Sequence, residues 1–284
     1  MVEVEQYTQD PEFTKRQISD AIWYITGSKG CDSYVVIGSK YAAVIDTGEN
    51  RRNLKKFVKT ITDKPLIVCN THGHFDHTGA NGQFKEYPIY MSQFACDNCK
   101  TPHNYLNPQD YDLDYVPQPI REGSIIDLGD HILEVYEVPC HSPGSLAYLD
   151  RKARMLFTGD EVEAGQVLIY GDIRKMCSVE RYRDNMKRLK DLSTEYDFIC
   201  PGHNGSPVYK SIVDDYLICC EKILGGEEGK KKVSGPSWLS PMDPRTAEDK
   251  ARILEDQRNR RMEYGGASLV YSVNHIYYHQ EISL

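Results

Sequence analysis

Residues 70–79 read NTHGHFDHTG and place His72, His74, Asp76 and His77 within six consecutive positions. Imidazole nitrogens and a carboxylate oxygen suit a borderline divalent cation, zinc first, with iron or manganese also compatible with such a donor set. In an extended segment, His72 and His74 point toward one side of a site. A short step further on, Asp76 and His77 can turn toward a second position. Three more groups of the same chemistry follow: His141 after EVYEVPC, Asp160 after RMLFTG and His203 after DFICPG. A lone histidine at a strand end is more often a satisfied polar residue than a ligand. Asp160 alone reads equally as a helix N-cap or a turn residue. Five of the nine histidines gathered at such exits are not explained that way.

The elements that must position these groups are legible as β-rich runs punctuated by turns. AIWYI (21–25), SYVVIG (33–38) and YAAVID (41–46) read as consecutive strands, followed by a helix over RRNLKKFVKTIT with Leu54, Phe57, Val58 and Ile61 at helical spacing. LIVCN (66–70) is a short buried strand, and PIYM, SIIDL, HILEVYEV, LAYL and RMLFTG supply more. Val179, Tyr182, Met186, Leu189 and Leu192 mark one amphipathic helix, and the apolar residues from Ile212 to Leu224 mark a second. Four strands thus end in metal-competent residues with glycine or proline close by, a common arrangement for an active site on a rigid scaffold. Strand-rich layers flanked by helices predict an α/β or α+β sandwich. GGEEGKKKVSG (225–235) divides a core over 1–225 from a segment 226–284. That segment is expected to hold a linker, a charged helix around 246–264 and two β-like runs, ASLVYSV and HIYYHQ, completing or decorating the same domain.

Composition narrows the partners. The chain of 284 residues is 40% hydrophobic and 27% charged, an ordinary globular balance, and its net charge of −8 counts against a sequence-independent nucleic-acid binder. The acidic start MVEVEQYTQD lacks the basic and apolar regions of a secretion signal, and no apolar run approaches the roughly 18 residues needed to span a bilayer. Nine cysteines without secretory context read as mostly reduced thiols, and a cytoplasmic location is expected.

The ordered set resembles the metallo-β-lactamase fold superfamily: HxHxDH at 72–77, a histidine at 141, an aspartate at 160 after TG and a histidine at 203 inside PGH. AAVIDTG, with Asp46, is similar to the superfamily's early strand signature. The likeness runs from about residue 33 to 205. It implies a four-layer αββα sandwich with two metal ions at one edge of the sheets. His72, His74 and His141 would hold the first ion, Asp76, His77 and His203 the second, and Asp160 would bridge them. Asp46 would steady the site without ligating, though it reads equally as a turn aspartate. Two such ions, about 3.5–4 Å apart, share a hydroxide that attacks a carbonyl or phosphoryl centre, with Asp76 able to orient or shuttle the proton.

An aspartate at 160, where β-lactamases of the superfamily commonly carry a cysteine or lack a bridging carboxylate, makes a lactam substrate unexpected. It matches the glyoxalase II-like thioesterases, lactonases and phosphodiesterases. The acidic chain counts against the tRNA-processing nucleases. His74 stands where the flavodiiron oxygen reductases use glutamate. The expectation is hydrolysis of a small thioester or other ester-like bond. The alternatives are a lactone or phosphodiester substrate on the same site, or a mononuclear iron persulfide dioxygenase. The polar stretch 96–121 reads as a loop over the cleft, with Tyr105, Tyr111 and Tyr115 as candidate substrate contacts; the loop EAGQVLIYGD (163–172) is a second candidate wall, with Tyr170 or Arg174 as contacts there. Cys96, Cys99 and His103 are a weak structural zinc motif. The vicinal Cys219 and Cys220 belong to the core side of their helix. The terminal β-like runs are able to pair at a sheet edge or across a homodimer interface.

Overall fold

The computed structural model describes residues 13–27, 31–49, 53–101, 111–169, 177–231 and 259–281. Two sheets lie face to face. The first follows chain order: β1 (Phe13–Gln17), β2 (Ile22–Gly27), β3 (Ser33–Ile37), β4 (Ala42–Ile45), β5 (Leu66–Cys69), β6 (Ile89–Met91) and β7 (Gln118–Pro119). The second has β8 (Ile125–Asp127), β9 (Ile132–Glu137), β10 (Leu146–Asp150), β11 (Met155–Gly159), β13 (Phe198–Pro201) and β14 (Val208–Tyr209), side by side in that order.

Strand side chains alternate between faces, and here both faces are covered. The central strands therefore read as continuous apolar runs rather than alternating ones. Tyr34, Val36, Ala43 and Ile45 of the first sheet meet Leu146, Tyr148, Phe157 and Cys200 of the second in the inner core. Their neighbours Val35, Ala42 and Val44 face outward onto Leu54, Phe57 and Val58 of α1 (Leu54–Val58) and Ala95 of α3 (Gln93–Asn98). Ala147, Leu149, Leu156 and Ile199 face the other way, onto α4 (Val179–Asp191) and α5 (Ile212–Leu224). These are the four layers of an αββα sandwich. Cys219 and Cys220 lie in that last core, as read from the sequence.

Strand direction places the site. β4, β5 and β6 run parallel, so β4 and β5 end at one edge of the first sheet. In the second sheet β10 is antiparallel to both β9 and β11, and β13 is parallel to β11, so β9, β11 and β13 end together. The sheets are tied at that edge. Leu146 N–H donates to Thr71 O at 2.7 Å, the Tyr148 hydroxyl to Asn70 O at 2.7 Å, and the Tyr34 hydroxyl to Pro201 O at 2.6 Å.

The C-terminal part departs from the sequence reading. Residues 259–264, expected within a charged helix, form strand β16 (Asn259–Tyr264), while 246–258 lie outside the described residues. Gly265–Gly266 turns β16 back into β17 (Ala267–Ser272), with Tyr264 opposite Ala267; Gly265 has φ +53°, a value glycine adopts without strain. Charged side chains on one face of a hairpin resemble a solvated helix until the turn is recognised. β17 pairs with β12 (Gln166–Leu168) and β16 with β15 (Lys230–Lys231), so a strand begins inside the stretch read as a boundary. HIYYHQ is no strand; Tyr278–Gln280 is a 3-10 turn. Glu281 just beyond it accepts from Ser178 N–H and Oγ–H at 3.1 and 2.6 Å and pairs with Arg181 at 2.6 Å, fastening the chain end to the start of α4. Seven cysteines lie outside any disulfide, but Cys140 and Cys177 form one, with Cα atoms 5.1 Å apart. Among the described residues, no helix is long and apolar enough to cross a membrane.

Candidate metal centre

The residues after β5 leave the strand through Asn70 and Thr71, then enter a single helical turn, α2 (Phe75–Thr78), with His74 at its N-cap. The sequence reading has Asp76 and His77 turn toward a second position, and a helical turn is how they do so. The turn swings Asp76 and His77 away from His72 and His74, which separates the motif into two donor sets. Asn70 locks the turn by donating to His77 O at 2.8 Å, and Asn81 supports it by donating to Asn70 Oδ1 at 2.9 Å.

His141 follows β9, Asp160 follows β11 and His203 follows β13, so all seven predicted groups meet at the shared sheet edge. His72 Nε2 and His141 Nε2 each lie 3.0 Å from His74 Nδ1. Across the cleft His203 Nε2 is 3.3 Å from Asp76 Oδ2, and His77 Nε2 is 3.1 Å from Asp160 Oδ1. Asp160 stands between the sets, its Oδ2 3.4 Å from His141 Nε2 and 3.5 Å from His203 Nε2. Donors about 2.0–2.1 Å from a common cation are separated by roughly 2.9–3.4 Å, so these spacings fit the edges of coordination polyhedra. His72, His74 and His141 form one group able to hold a cation, and Asp76, His77, Asp160 and His203 a second.

Two further observations fit cations. His77 Nε2 and Asp160 Oδ1 are buried and, despite their 3.1 Å separation, are not aligned as a hydrogen bond to each other or to anything else. Most buried side-chain polar atoms in folded proteins have a partner, and these two unpartnered atoms face each other inside the donor set. Gly202, next to His203, leaves no room for a side chain: a Cβ there would lie 2.4 Å from Asp160 Oδ1 and 2.6 Å from His77 Cε1.

The second nitrogen of three rings is anchored, fixing which one faces the centre. His72 Nδ1 lies 3.1 Å from the Thr71 hydroxyl, and His141 Nδ1 lies 2.8 Å from Leu168 O. His77 Nδ1 lies 2.8 Å from Asp46 Oδ2 and 3.1 Å from Cys31 Sγ. Asp46 is buried and also accepts from Thr71 N–H and Oγ–H at 2.8 and 2.7 Å. It occupies a left-handed backbone position, φ +54°, so it is at once the turn residue and the partner of His77.

The two sets differ electrically. Burial, with neighbouring imidazoles, pushes His72 well below its usual range, and burial brings His141 down to about 4, so both are neutral imidazoles at neutral pH. Burial also lowers His74 despite Asp76 and Asp160 beside it. Burial opposes charge on His77 too, yet Cys31, Asp160, Asp46 and Asp76 around it hold its proton on. His203 is raised against burial by Asp160 and Asp76, and both carboxylates are depressed against burial by the facing histidines. The second set therefore demands positive charge, which a divalent cation can supply in place of protons.

Other predicted positions fall differently. Tyr115 is no cleft residue: it is buried in the outer core with its hydroxyl donating to Cys99 Sγ at 3.5 Å. Cys99 is buried there too, while His103, Tyr105, Tyr170 and Arg174 lie outside the described residues. Tyr111 is half-buried, and its neighbour Asp112 packs its backbone over Gly82 and pairs with Lys85. The sequence reading missed Cys31 and Thr71. Thr71 adjoins the motif and was findable; Cys31 comes from the turn before β3, and nothing local marks it.

Comparisons with known proteins agree with this geometry. The sequence model of the metallo-beta-lactamase superfamily matches residues 26–203. The acyl-coenzyme A thioesterase MBLAC2 of Gallus gallus is 28% identical over 213 residues, covering 64% of this chain and 74% of that protein. The hydroxyacylglutathione hydrolase GloC of Haemophilus influenzae is 24% identical over 149 residues, 45% of this chain and 64% of that one. In structure, a metallo-beta-lactamase from Pontibacter korlensis superposes with TM-score 0.60 at 20% identity, over 73% of this chain and 98% of the other, a likeness of fold. With the match spanning more than half of the sequence and the donor groups assembled at the sheet edge, the chain belongs to the metallo-beta-lactamase superfamily.

Proposed function

We propose that this metallo-hydrolase cleaves a thioester, an acyl group carried on a small thiol such as coenzyme A or glutathione, at a centre for two divalent cations. His72, His74 and His141 hold one, Asp76, His77 and His203 the other, and Asp160 spans both. The observation that carries the reading is the Asp160 carboxylate, within 3.5 Å of a histidine nitrogen from each set. Zinc suits the nitrogen and oxygen donors, with iron or manganese as alternatives. Bound there, the cations supply Lewis acidity and bring the pKa of water toward neutrality.

The chain's own residues do the rest. His72, His74 and His141 arrive as neutral imidazoles, so no excess proton need leave before a cation is held. Asp46 keeps the His77 proton on Nδ1 and leaves Nε2 as a donor. Asp76 is the more open carboxylate, its side chain 23% exposed against 9% for Asp160, and is placed to take a proton from the nucleophile. A thiol leaving group with a pKa of about 8.5 departs as thiolate without a strong acid, which matches a site whose imidazoles are engaged in holding. The names of the thioesterase and hydroxyacylglutathione relatives support the same bond.

The test is a panel of acyl-coenzyme A, hydroxyacylglutathione, lactone, phosphodiester and lactam substrates on zinc-, manganese- and iron-loaded protein. Thiol release should dominate. Lactone or phosphodiester turnover with inert thioesters overturns the substrate assignment. A second reading draws on the more enclosed His72–His74–His141 set: a single iron and oxygen-dependent persulfide oxidation. One iron per chain with oxygen consumption selects it.

A further inference from the structure

Asp160 opens the run Asp160-Glu161-Val162-Glu163, whose two glutamates are both buried, 0% and 4% exposed. Carboxylates are seldom buried without a task. Glu161 turns back to the loop that carries His141: its Oε1 accepts from Cys140 N–H at 3.0 Å and from His141 N–H at 2.7 Å. With His141 Nδ1 held on Leu168 O, the ring is fixed through its backbone and its far nitrogen. Leu168 belongs to β12, which β17 supports. Glu163 reaches the other way and accepts a hydrogen bond from Asn204 Nδ2, immediately after His203. Asn204 has φ +66°, a left-handed position that a side-chain bond helps to hold. The Tyr182 hydroxyl donates to Glu161 O at 2.7 Å and the Tyr216 hydroxyl to Glu163 O at 2.9 Å, so helices α4 and α5 fix the backbone bearing both glutamates.

We infer that Glu161 and Glu163 are positioning residues that separately set the two halves of the centre, Glu161 through the His141 loop and Glu163 through Asn204 and the His203 turn. This rests on the two-cation reading above and adds a division of labour to it. One segment supplies the shared carboxylate and a strut to each side, which keeps the two donor sets in register with Asp160. The task of each glutamate is to accept hydrogen bonds. Glutamine keeps an acceptor oxygen in the same place, so it should substitute where alanine does not.

The experiment is stepwise zinc withdrawal from the 284-residue chain by a chromophoric chelator, which reads two dissociation steps without reference to turnover. Glu161→Ala should weaken one step by about 10–100-fold, the usual effect of losing a ligand's support. Glu163→Ala should weaken the other by a similar factor, while Glu161→Gln and Glu163→Gln stay near wild type. Asn204→Gly, which relieves the backbone but removes the donor from an exposed position, should weaken the same step as Glu163→Ala and keeps the test open if a buried alanine variant fails to fold. Wild-type protein with two steps that no variant moves overturns the inference alone. So does a common loss of both steps in every variant, or glutamine variants as weak as alanine. Wild-type protein that takes up no zinc overturns the centre along with it.

Discussion

Replacing Asp46 tests how the centre is held rather than what it does. Its carboxylate accepts three hydrogen bonds: from Thr71 N–H, from the Thr71 hydroxyl and from His77 Nδ1. Asp46→Ala leaves Thr71 N–H buried without an acceptor and leaves the Thr71 hydroxyl and His77 Nδ1 only His72 Nδ1 and Cys31 Sγ as weaker neighbours, at about 1–3 kcal/mol for each bond lost. Relief of the carboxylate's own burial offsets part of that, so breaking this buried cluster should cost about 3–5 kcal/mol net. For a chain of this size, at roughly 2–3 °C per kcal/mol, the melting temperature should fall by about 10 °C. Asp46→Asn separates packing from chemistry. If its oxygen serves Thr71 N–H, its amide nitrogen faces His77 Nδ1 and favours the tautomer with the proton on Nε2, the atom that must face a cation. The asparagine variant should melt closer to wild type yet lose one zinc in chelator titration. An alanine variant within about 2 °C of wild type, or an asparagine variant that binds both zinc ions with unchanged affinity, refutes the reasoning.

Three further outcomes follow from the same geometry. Asp160→Ala should abolish turnover while circular dichroism stays that of the folded sandwich; wild-type rates would remove Asp160 from its spanning role. Gly202→Ala drives a methyl to 2.4 Å from Asp160 Oδ1, so zinc affinity of one step should drop at least about 10-fold with little change in far-ultraviolet signal; unaltered affinity would mean the cleft has slack there. Glu281→Ala removes the clamp on Ser178 and Arg181 and should cost about 1 kcal/mol at pH 7 by denaturant titration. Although burial opposes it, the Arg181 and Ser178 contacts hold the Glu281 carboxyl below its ordinary value. The stability it provides is therefore present above about pH 4.5 and lost as pH falls through the folded-state value; a difference from wild type that persists unchanged at pH 3 would rule out the charged contact.

Legibility tracked how local each signal was. The seven donor groups could be read because each lies directly beyond a recognisable apolar run, and the two long helices because their burial pattern repeats at helical spacing. Strand ends shifted by one or two residues, since hydrogen-bond ladders stop where the partner strand stops. β1 and β12 carried no readable pattern: FTKRQ is polar, and QVL is three residues long. Tyr115 was misplaced because a tyrosine-rich stretch looks alike whether its rings line a cleft or enter a core. The charged helix expected over 246–264 fails at 259–264, where Met262 is buried against Cys219 of α5 and the polar residues line the other face of a hairpin.

By itself the sequence determined which atoms could hold cations and on which strand exits they sit, because imidazole and carboxylate chemistry and turn residues act over a few positions. Only the tertiary structure decided how they are held: a single helical turn divides the motif, Asp46 and Cys31 meet His77 Nδ1, and Glu161 and Glu163 brace the His141 and His203 loops. The site joins residues as far as 170 positions apart, as where the Gly202 carbonyl beside His203 takes the Asp32 N–H at 2.7 Å. Such contacts depend on strand direction and on two sheets packing at one edge, and no local pattern records either.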